Sequence, residues 1–346
     1  EGVTELKDGC FFGCNATAVQ LPSTLKKIGA CTFRMCTNLT EITLPDNLET
    51  IEQGAFDGCA SLQRVNVGRG VKCIEYGAFH ECYNLSQVHV TDLKAWSEVS
   101  ISAPVVVYRH FVGFGVYAVG NGNPVMMTQG LYHNGSEVIN LKIPQGTRYV
   151  SRYAFANCKH IKTVTIPNSV TDVLEYAFIG CSSLEKVYVG SGLEYLGFED
   201  TSRPFMTSKP GYVGKVFANC KFLGEFHMSL ASPPVTLPNT FDECPVQYCT
   251  LYVPLGAKSN YENHYTWSRF GSIIEEESAI DNLEEDNLQI TVEDGAIVLN
   301  GTEESLVEVF DLSGRVIYSG YARSVPINNA GIYIVRVNGQ THKVRL

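Results

Sequence analysis

The sequence predicts a mainly β solenoid with short helical corners, joined to a small immunoglobulin-like β-sandwich. Three observations predict it. Phenylalanine recurs at 11, 33, 56 and 79, then at 155 and 178, then at 217 and 241, most often at an interval of 22 to 24 residues. A cysteine follows each of these rings by three residues. Beyond Glu277 the periodicity changes to short alternating runs with turn signals between them. A fixed period of this length is the mark of stacked repeat units rather than of one globular core.

Two repeats define the unit. Pro45 to Val67 reads PDNLETIEQGAFDGCASLQRVNV, and Pro167 to Val189 reads PNSVTDVLEYAFIGCSSLEKVYV, matching it position for position. Each unit ends in period-2 alternation such as Arg64-Val65-Asn66-Val67, a strand signal. The Pro or Gly that follows stops the strand, because Pro has no N–H to give to a ladder. A second short extended piece carries Leu48 and Ile51 inward, and Gly54-Ala55-Phe56 opens a tight helical or irregular corner. One such unit cannot bury its own apolar face. About eight of them, stacked ring on ring and thiol on thiol, form a continuous core. The predicted structural ladder is Phe33 and Cys36, Phe56 and Cys59, Phe79 and Cys82, Phe155 and Cys158, Phe178 and Cys181, Phe217 and Cys220, and Phe241 and Cys244.

The solenoid is expected to span 1–274, with insertions at about 91–142 and 197–215 that leave the stack as loops. Within the first, Asn134-Gly135 between two short apolar runs predicts a hairpin with a type I′ turn. Residues 245–274 are expected to cap the open end. They offer a strand from Thr250 to Val253, a helix around Lys258 to His264, and Trp267 and Phe270 to cover the last repeat. An acidic spacer is predicted over 275–287. Seven short strands over 288–346 predict the sandwich.

Composition limits function. The chain has 346 residues, is 45% hydrophobic and carries a formal net charge of −10. It shows no basic stripe, which argues against nucleic acid as a partner. No apolar run reaches the 18 residues that a membrane-spanning helix needs. The chain opens Glu1-Gly2-Val3-Thr4, as a mature chain without its signal peptide would. Eight of the twelve cysteines hold the fixed repeat position of a small buried hydrophobe, so they are read as packing residues. Cys10, Cys31, Cys73 and Cys249 lie outside that ladder and their redox state is open.

No catalytic constellation, cofactor site or metal site is predicted. Gly113 to Ala118 fits a loose dinucleotide pattern, but Gly120-Asn121-Gly122-Asn123-Pro124 stands where the required helix would be. His80-Glu81-Cys82 lacks the second His of a zinc-protease helix, and the eight histidines show no ligand spacing. What remains is the solvent side of the strands. Glu41, Arg64, Gln87, Thr163, Lys186 and Glu225 share one outward position, and Thr43, Asn66, His89, Thr165, Tyr188 and His227 share another two residues on. This mixed polar stripe is the candidate ligand face. An ordinary wet sheet surface is its plain alternative, and the insertions at 111–123 and 197–215 are rival contact sites.

The A-F-x-x-C-x-x-L unit, the D-L-x-x-W run at Asp92 to Trp96 and the Thr250–Phe270 cap resemble the BspA-like leucine-rich-repeat family over about residues 1–275. The resemblance implies a leucine-rich-repeat solenoid on a secreted or surface protein, several relatives being adhesins for matrix or plasma proteins such as fibronectin and fibrinogen. Val307 to Arg315, Gly331 to Val337 and the final Lys343-Val344-Arg345-Leu346 resemble the C-terminal sorting domains of secreted Bacteroidetes proteins, which implies export by type IX secretion. The expectation is a non-enzymatic protein that presents its surface to an extracellular protein or glycan. The rival readings are an envelope spacer without a dedicated ligand and a hydrolase within 91–142.

Overall fold

The computed structural model describes residues 2–102, 105–107, 117–119, 122–126, 130–197, 214–277, 289–293, 295–300, 305–311, 314–327, 331–337 and 340–345. The chain forms two compact units, one of Glu1–Ile143 with Thr147–Glu277, the other of Ser278–Leu346 with Pro144–Gly146.

The repeat unit is a coil with two kinds of strand per turn. Four-residue strands such as Glu41–Leu44, Arg64–Val67 and Gln87–Val90 pair in parallel, one turn to the next. In Glu41–Leu44 the exposed Glu41 and Thr43 alternate with the buried Ile42 and Leu44, the period-2 pattern read from sequence. Two-residue strands such as Lys27–Ile28, Thr50–Ile51 and Cys73–Ile74 make a second parallel sheet. The same pair of sheets recurs in the second half, through Thr163–Ile166, Lys186–Val189 and Glu225–Met228 and through Tyr149–Val150, Asp172–Val173 and Tyr195–Leu196.

The corner that carries each phenylalanine is irregular, and its backbone groups are shared between turns. Phe33 N–H donates to Ala55 C=O at 2.7 Å and Phe56 N–H to Ala78 C=O at 2.7 Å, while Cys59 N–H closes locally on Phe56 C=O at 3.1 Å. A residue of left-handed backbone flanks most of the rings two positions away on both sides: Gly54 and Gly58 about Phe56, but Tyr153 and Asn157 about Phe155. Glycine adopts that conformation at no steric cost, whereas side-chain-bearing residues are strained there.

The corner rings stack on one another. Phe11, Phe33, Phe56 and Phe79 follow one another at centroid spacings of 5.3, 5.3 and 5.0 Å, nearly coplanar. Phe155, Phe178, Phe217 and Phe241 repeat this at 5.4, 5.3 and 5.8 Å. The ladder thiols are buried, and within each half-stack they donate to the carbonyl of the phenylalanine one turn back, as in Cys59 to Phe33 at 3.1 Å, Cys82 to Phe56 at 3.2 Å and Cys181 to Phe155 at 3.1 Å. Burial pushes the thiols of Cys59 and Cys181 up to about 12, far from a reactive thiolate. All twelve cysteines are free.

The first insertion is narrower than 91–142. Asp92 caps a helix, Leu93–Ser97, by accepting from Ala95 N–H at 3.0 Å. Strand Ser100–Ile101 pairs with Cys73–Ile74, Leu131–His133 with Gln87–Val90, and Asn140–Lys142 with Thr163–Thr165. These turns lack the Phe-x-x-Cys corner, so they belong to the stack without displaying its period. The hairpin at Asn134-Gly135 is present, both residues left-handed, and Ser136–Glu137 folds back antiparallel on Tyr132–His133. At the junction of the two half-stacks, the buried Trp96 donates through Nε1 to Ala154 C=O at 2.8 Å. Most of the dinucleotide-like run and of the 197–215 insertion lies outside the described residues.

The cap forms as strand Thr250–Pro254, helix Lys258–Glu262 and a final strand Ser272–Glu276. Trp267 and Phe270 meet Phe241 edge-on at 5.4 and 5.3 Å, so the run of parallel rings ends on edges rather than on water. Glu275 and Glu276, predicted as the start of the spacer, belong to this strand. The Glu275 carboxylate accepts from Gly256 N–H at 3.0 Å and Lys258 N–H at 3.1 Å, which holds it on the cap. In the tail, a three-stranded and a four-stranded antiparallel sheet enclose Ile297, Leu299, Val307, Val309, Val325, Val335 and Val337.

Candidate functional site

Strand register decides which outward side chains are neighbours. Glu41, Arg64 and Gln87 lie in one row, and Thr43, Asn66 and His89 in the next. In the second half Thr163, Lys186 and Glu225 form one row, and Thr165, Tyr188 and His227 the other. The second row of each half continues further, onto a strand without a Phe–Cys corner in the first half and onto the strand after the Phe241–Cys244 corner in the second. Tyr132 follows His89, and Tyr252 follows His227, with Ile274 beyond it.

These added residues turn a polar stripe into an aromatic one. His89 and Tyr132 stack at 4.7 Å. Tyr188, His227 and Tyr252 form a three-ring pile at 4.5 and 4.3 Å. A parallel sheet brings equivalent side chains to about 4.7–4.9 Å, so rings at one position must meet face to face. Their faces are thereby consumed, and edges and hydroxyls are what solvent meets. Burial raises the Tyr188 phenol, and it lowers the His89 imidazole with help from the Arg64 guanidinium.

His227 departs from the expected outward position. It is buried, with Nδ1 2.9 Å from Glu276 Oε1 and Nε2 3.3 Å from Glu225 Oε2, and a tyrosine ring on each face. Glu276 comes from the strand that the sequence reading assigned to the spacer. His227 therefore orders the pile from within, and Tyr188 and Tyr252 are its presenting members.

Many of the charges along the stripe are bonded sideways. Lys186 Nζ lies 2.8 Å from Glu225 Oε2, which holds the lysine above and the glutamate below their ordinary values. Arg64 Nε donates to Gln87 at 2.8 Å, and Asn66 donates to Glu41 at 2.9 Å and to Thr43 at 3.0 Å. Thr163 Oγ1 reaches Asn140 at 2.9 Å. Exposed pairs of this kind contribute little stability but fix side-chain geometry.

A second polar cluster lies at the corners. Asp57 and His80 each follow the ladder phenylalanine directly, and Glu81 comes next. Ligand atoms of the three lie within 4.8 Å of one another. The sequence reading found no such grouping, because residues 23 apart become adjacent only when turns stack. A shallow surface depression is lined by Lys221, Glu243, Cys244, Pro245 and Gln247. No helix among the described residues is long and apolar enough to cross a membrane.

Comparison with known proteins bears on the repeat. The family described as BspA type Leucine rich repeat region matches in six copies over residues 3–100 and 127–200. No curated protein sequence matches the chain. Among solved structures it is similar to a leucine-rich repeat protein from Bacteroides ovatus, at 18% identity over 80% of this chain and 70% of that one, with a TM-score of 0.39. It is also similar to a leucine rich cell surface protein from Faecalibacterium prausnitzii, at 18% identity over 80% and 84%, with a TM-score of 0.33. A third similar structure is the pneumococcal vaccine antigen PcpA, at 16% identity over 80% and 77%, with a TM-score of 0.32. With its ring-and-thiol corners stacked turn on turn and its repeats matched in six copies, this chain belongs, through its repeat unit, to the BspA-type leucine-rich-repeat family.

Proposed function

We propose that this is a secreted or cell-surface binding protein of a Bacteroidetes bacterium, an adhesin without enzymatic activity. Its repeat unit presents a rigid strand face to a host or neighbouring-cell protein or glycan. Its tail serves export or surface attachment. The observation that carries this reading is the pile of Tyr188, His227 and Tyr252, set on a parallel sheet and flanked by the Lys186–Glu225 pair. Rigid aromatic side chains with polar tips lose little entropy on binding and are enriched at contact surfaces. Because the ring faces are already stacked, recognition falls to hydroxyls and edges, which suits an extended ligand running along the rows. A sugar needing an open ring face fits less well.

A second reading, an envelope spacer without a ligand, draws support from the sideways pairing of stripe charges, since groups already bonded to each other offer less to a partner. Purified chain on an array of matrix proteins and glycans separates the two. Binding that falls at least tenfold in Tyr188→Ala/Tyr252→Ala, and falls again on Arg64→Glu, supports adhesion. A silent array from a chain that is displayed normally on cells supports the spacer. Turnover on a hydrolase panel would support neither.

A further inference from the structure

We propose that Asp57, His80 and Glu81 form a binding site for a divalent transition-metal ion of the zinc class, on the corner edge of the third and fourth turns and apart from the strand face. Asp57 and His80 hold the same place after Phe56 and Phe79, so stacking of the rings at 5.0 Å brings their side chains together. Asp57 Oδ1 lies 2.9 Å from His80 Nδ1, and the Glu81 carboxylate completes a triangle with ligand atoms within 4.8 Å. Bonds of about 2.0–2.2 Å to a tetrahedral ion set ligand atoms roughly 3.3–3.6 Å apart. Closing the triangle on an ion therefore takes side-chain shifts of at most about 1.5 Å, with water as the fourth ligand. One imidazole nitrogen and two carboxylates form a donor set suited to zinc and its neighbours rather than to calcium, which prefers six to eight oxygens.

The surroundings fit a ligand set rather than a plain ion pair. Arg34 Nε lies 2.9 Å from Asp57 Oδ2, the oxygen that His80 does not face. In that position the guanidinium orients the carboxylate from behind while Oδ1 stays turned to His80, the arrangement that outer partners give metal ligands. The two carboxylates outnumber the one guanidinium, so the charge around the cluster favours a cation. Side-chain exposure of 15% for Asp57 and 30% for His80 leaves a path for the ion. Glu81 sits at a left-handed position, φ 57°, where Gly58 and Gly180 stand on other turns. That supplies a variant that removes a ligand without endangering the fold.

The test uses the full chain, stripped with chelator and titrated with Zn²⁺ by calorimetry and with Co²⁺ by visible absorption. The expected result is one site per chain, weakened at least tenfold in His80→Gln and in Glu81→Gly. Zn²⁺ should raise the melting temperature of the parent but not of the variants, and metal-free Glu81→Gly should melt no lower than the parent. The Co²⁺ spectrum should lack the near-ultraviolet thiolate band that binding at the cysteines would give. No binding, binding unchanged in both variants, or a thiolate band would each overturn the proposal.

Discussion

The ring stack makes a prediction that separates a nearest-neighbour coil from an ordinary hydrophobic core. Phe56 is fully buried between Phe33 and Phe79, at 5.3 and 5.0 Å. Phe56→Leu keeps an apolar side chain but gives up two stacking partners, and should cost about 1–2 kcal/mol. Phe79→Leu should cost a similar amount. Because they share a contact, the double mutant should depart from additivity by about 0.5–1.5 kcal/mol, the range measured for aromatic pairs. Phe178 stacks on Phe155 and Phe217 in the other half and has no ring in common with Phe56. The Phe56→Leu/Phe178→Leu pair should therefore be additive to within about 0.5 kcal/mol. Urea unfolding followed by tryptophan fluorescence reads this out cleanly. The chain has two tryptophans, Trp96 and Trp267, both buried in the repeat unit, so the tail contributes no signal. Coupling as large for the distant pair as for the adjacent one would refute the layered account of the core.

Other outcomes follow from the same structure. Under iodoacetamide at pH 8, mass spectrometry should find Cys10, the exposed thiol, labelled first, with Cys59 and Cys181 modified only after denaturant is added. Glu243 holds left-handed backbone at φ 58°, so Glu243→Gly should stabilise the repeat unit by about 0.5–1 kcal/mol, seen as a higher urea midpoint. Desolvation raises the Glu75 carboxyl above its ordinary 4.5 while its Oε2 accepts from Gln53 N–H. The folded state thus holds that proton more tightly than the unfolded one, and the favourable contribution present at low pH is lost as pH rises through the folded value. Glu75→Gln keeps an acceptor for Gln53 and should melt higher than the parent at pH 7, with the gap closing below about pH 4.5. A gap that widens on acidification would reverse the assignment.

The phenylalanines and cysteines declared the coil because each recurs at a fixed interval and each serves the same contact on every turn. Tyr132 escaped notice for the opposite reason: its strand contributes only three residues, too short a signal without a Phe–Cys corner beside it, while the strand of Tyr252 is legible in sequence but reads as part of the cap rather than of the row. His89 finds its stacked partner, Tyr132, on that three-residue strand, whereas Tyr188 stacks on His227, which stands at the same repeat position one turn on. The burial of His227 within its row was not legible because Glu276, which covers it from the side, stands in an acidic run that sequence alone reads as solvated. The Asp57–His80 contact was open to inspection once Phe56 and Phe79 had been superposed, since the next residue in each turn must lie alongside. Only a search for local ligand spacing hid it.

The bonded charges also give the turns an order. Glu49 lies between Lys26 and Lys72, its N–H on the Lys26 carbonyl and its carboxylate 2.9 Å from Lys72 Nζ. Asp57 likewise separates Arg34 from His80. Were the 23 residues Pro45 to Val67 excised, phenyl would still close over phenyl and thiol over carbonyl. Lysine would then face lysine and arginine would face imidazole. The apolar interior is indifferent to which turn follows which, so shuffling or recombination of repeats in such a coil is policed at its rim, where cations and anions alternate.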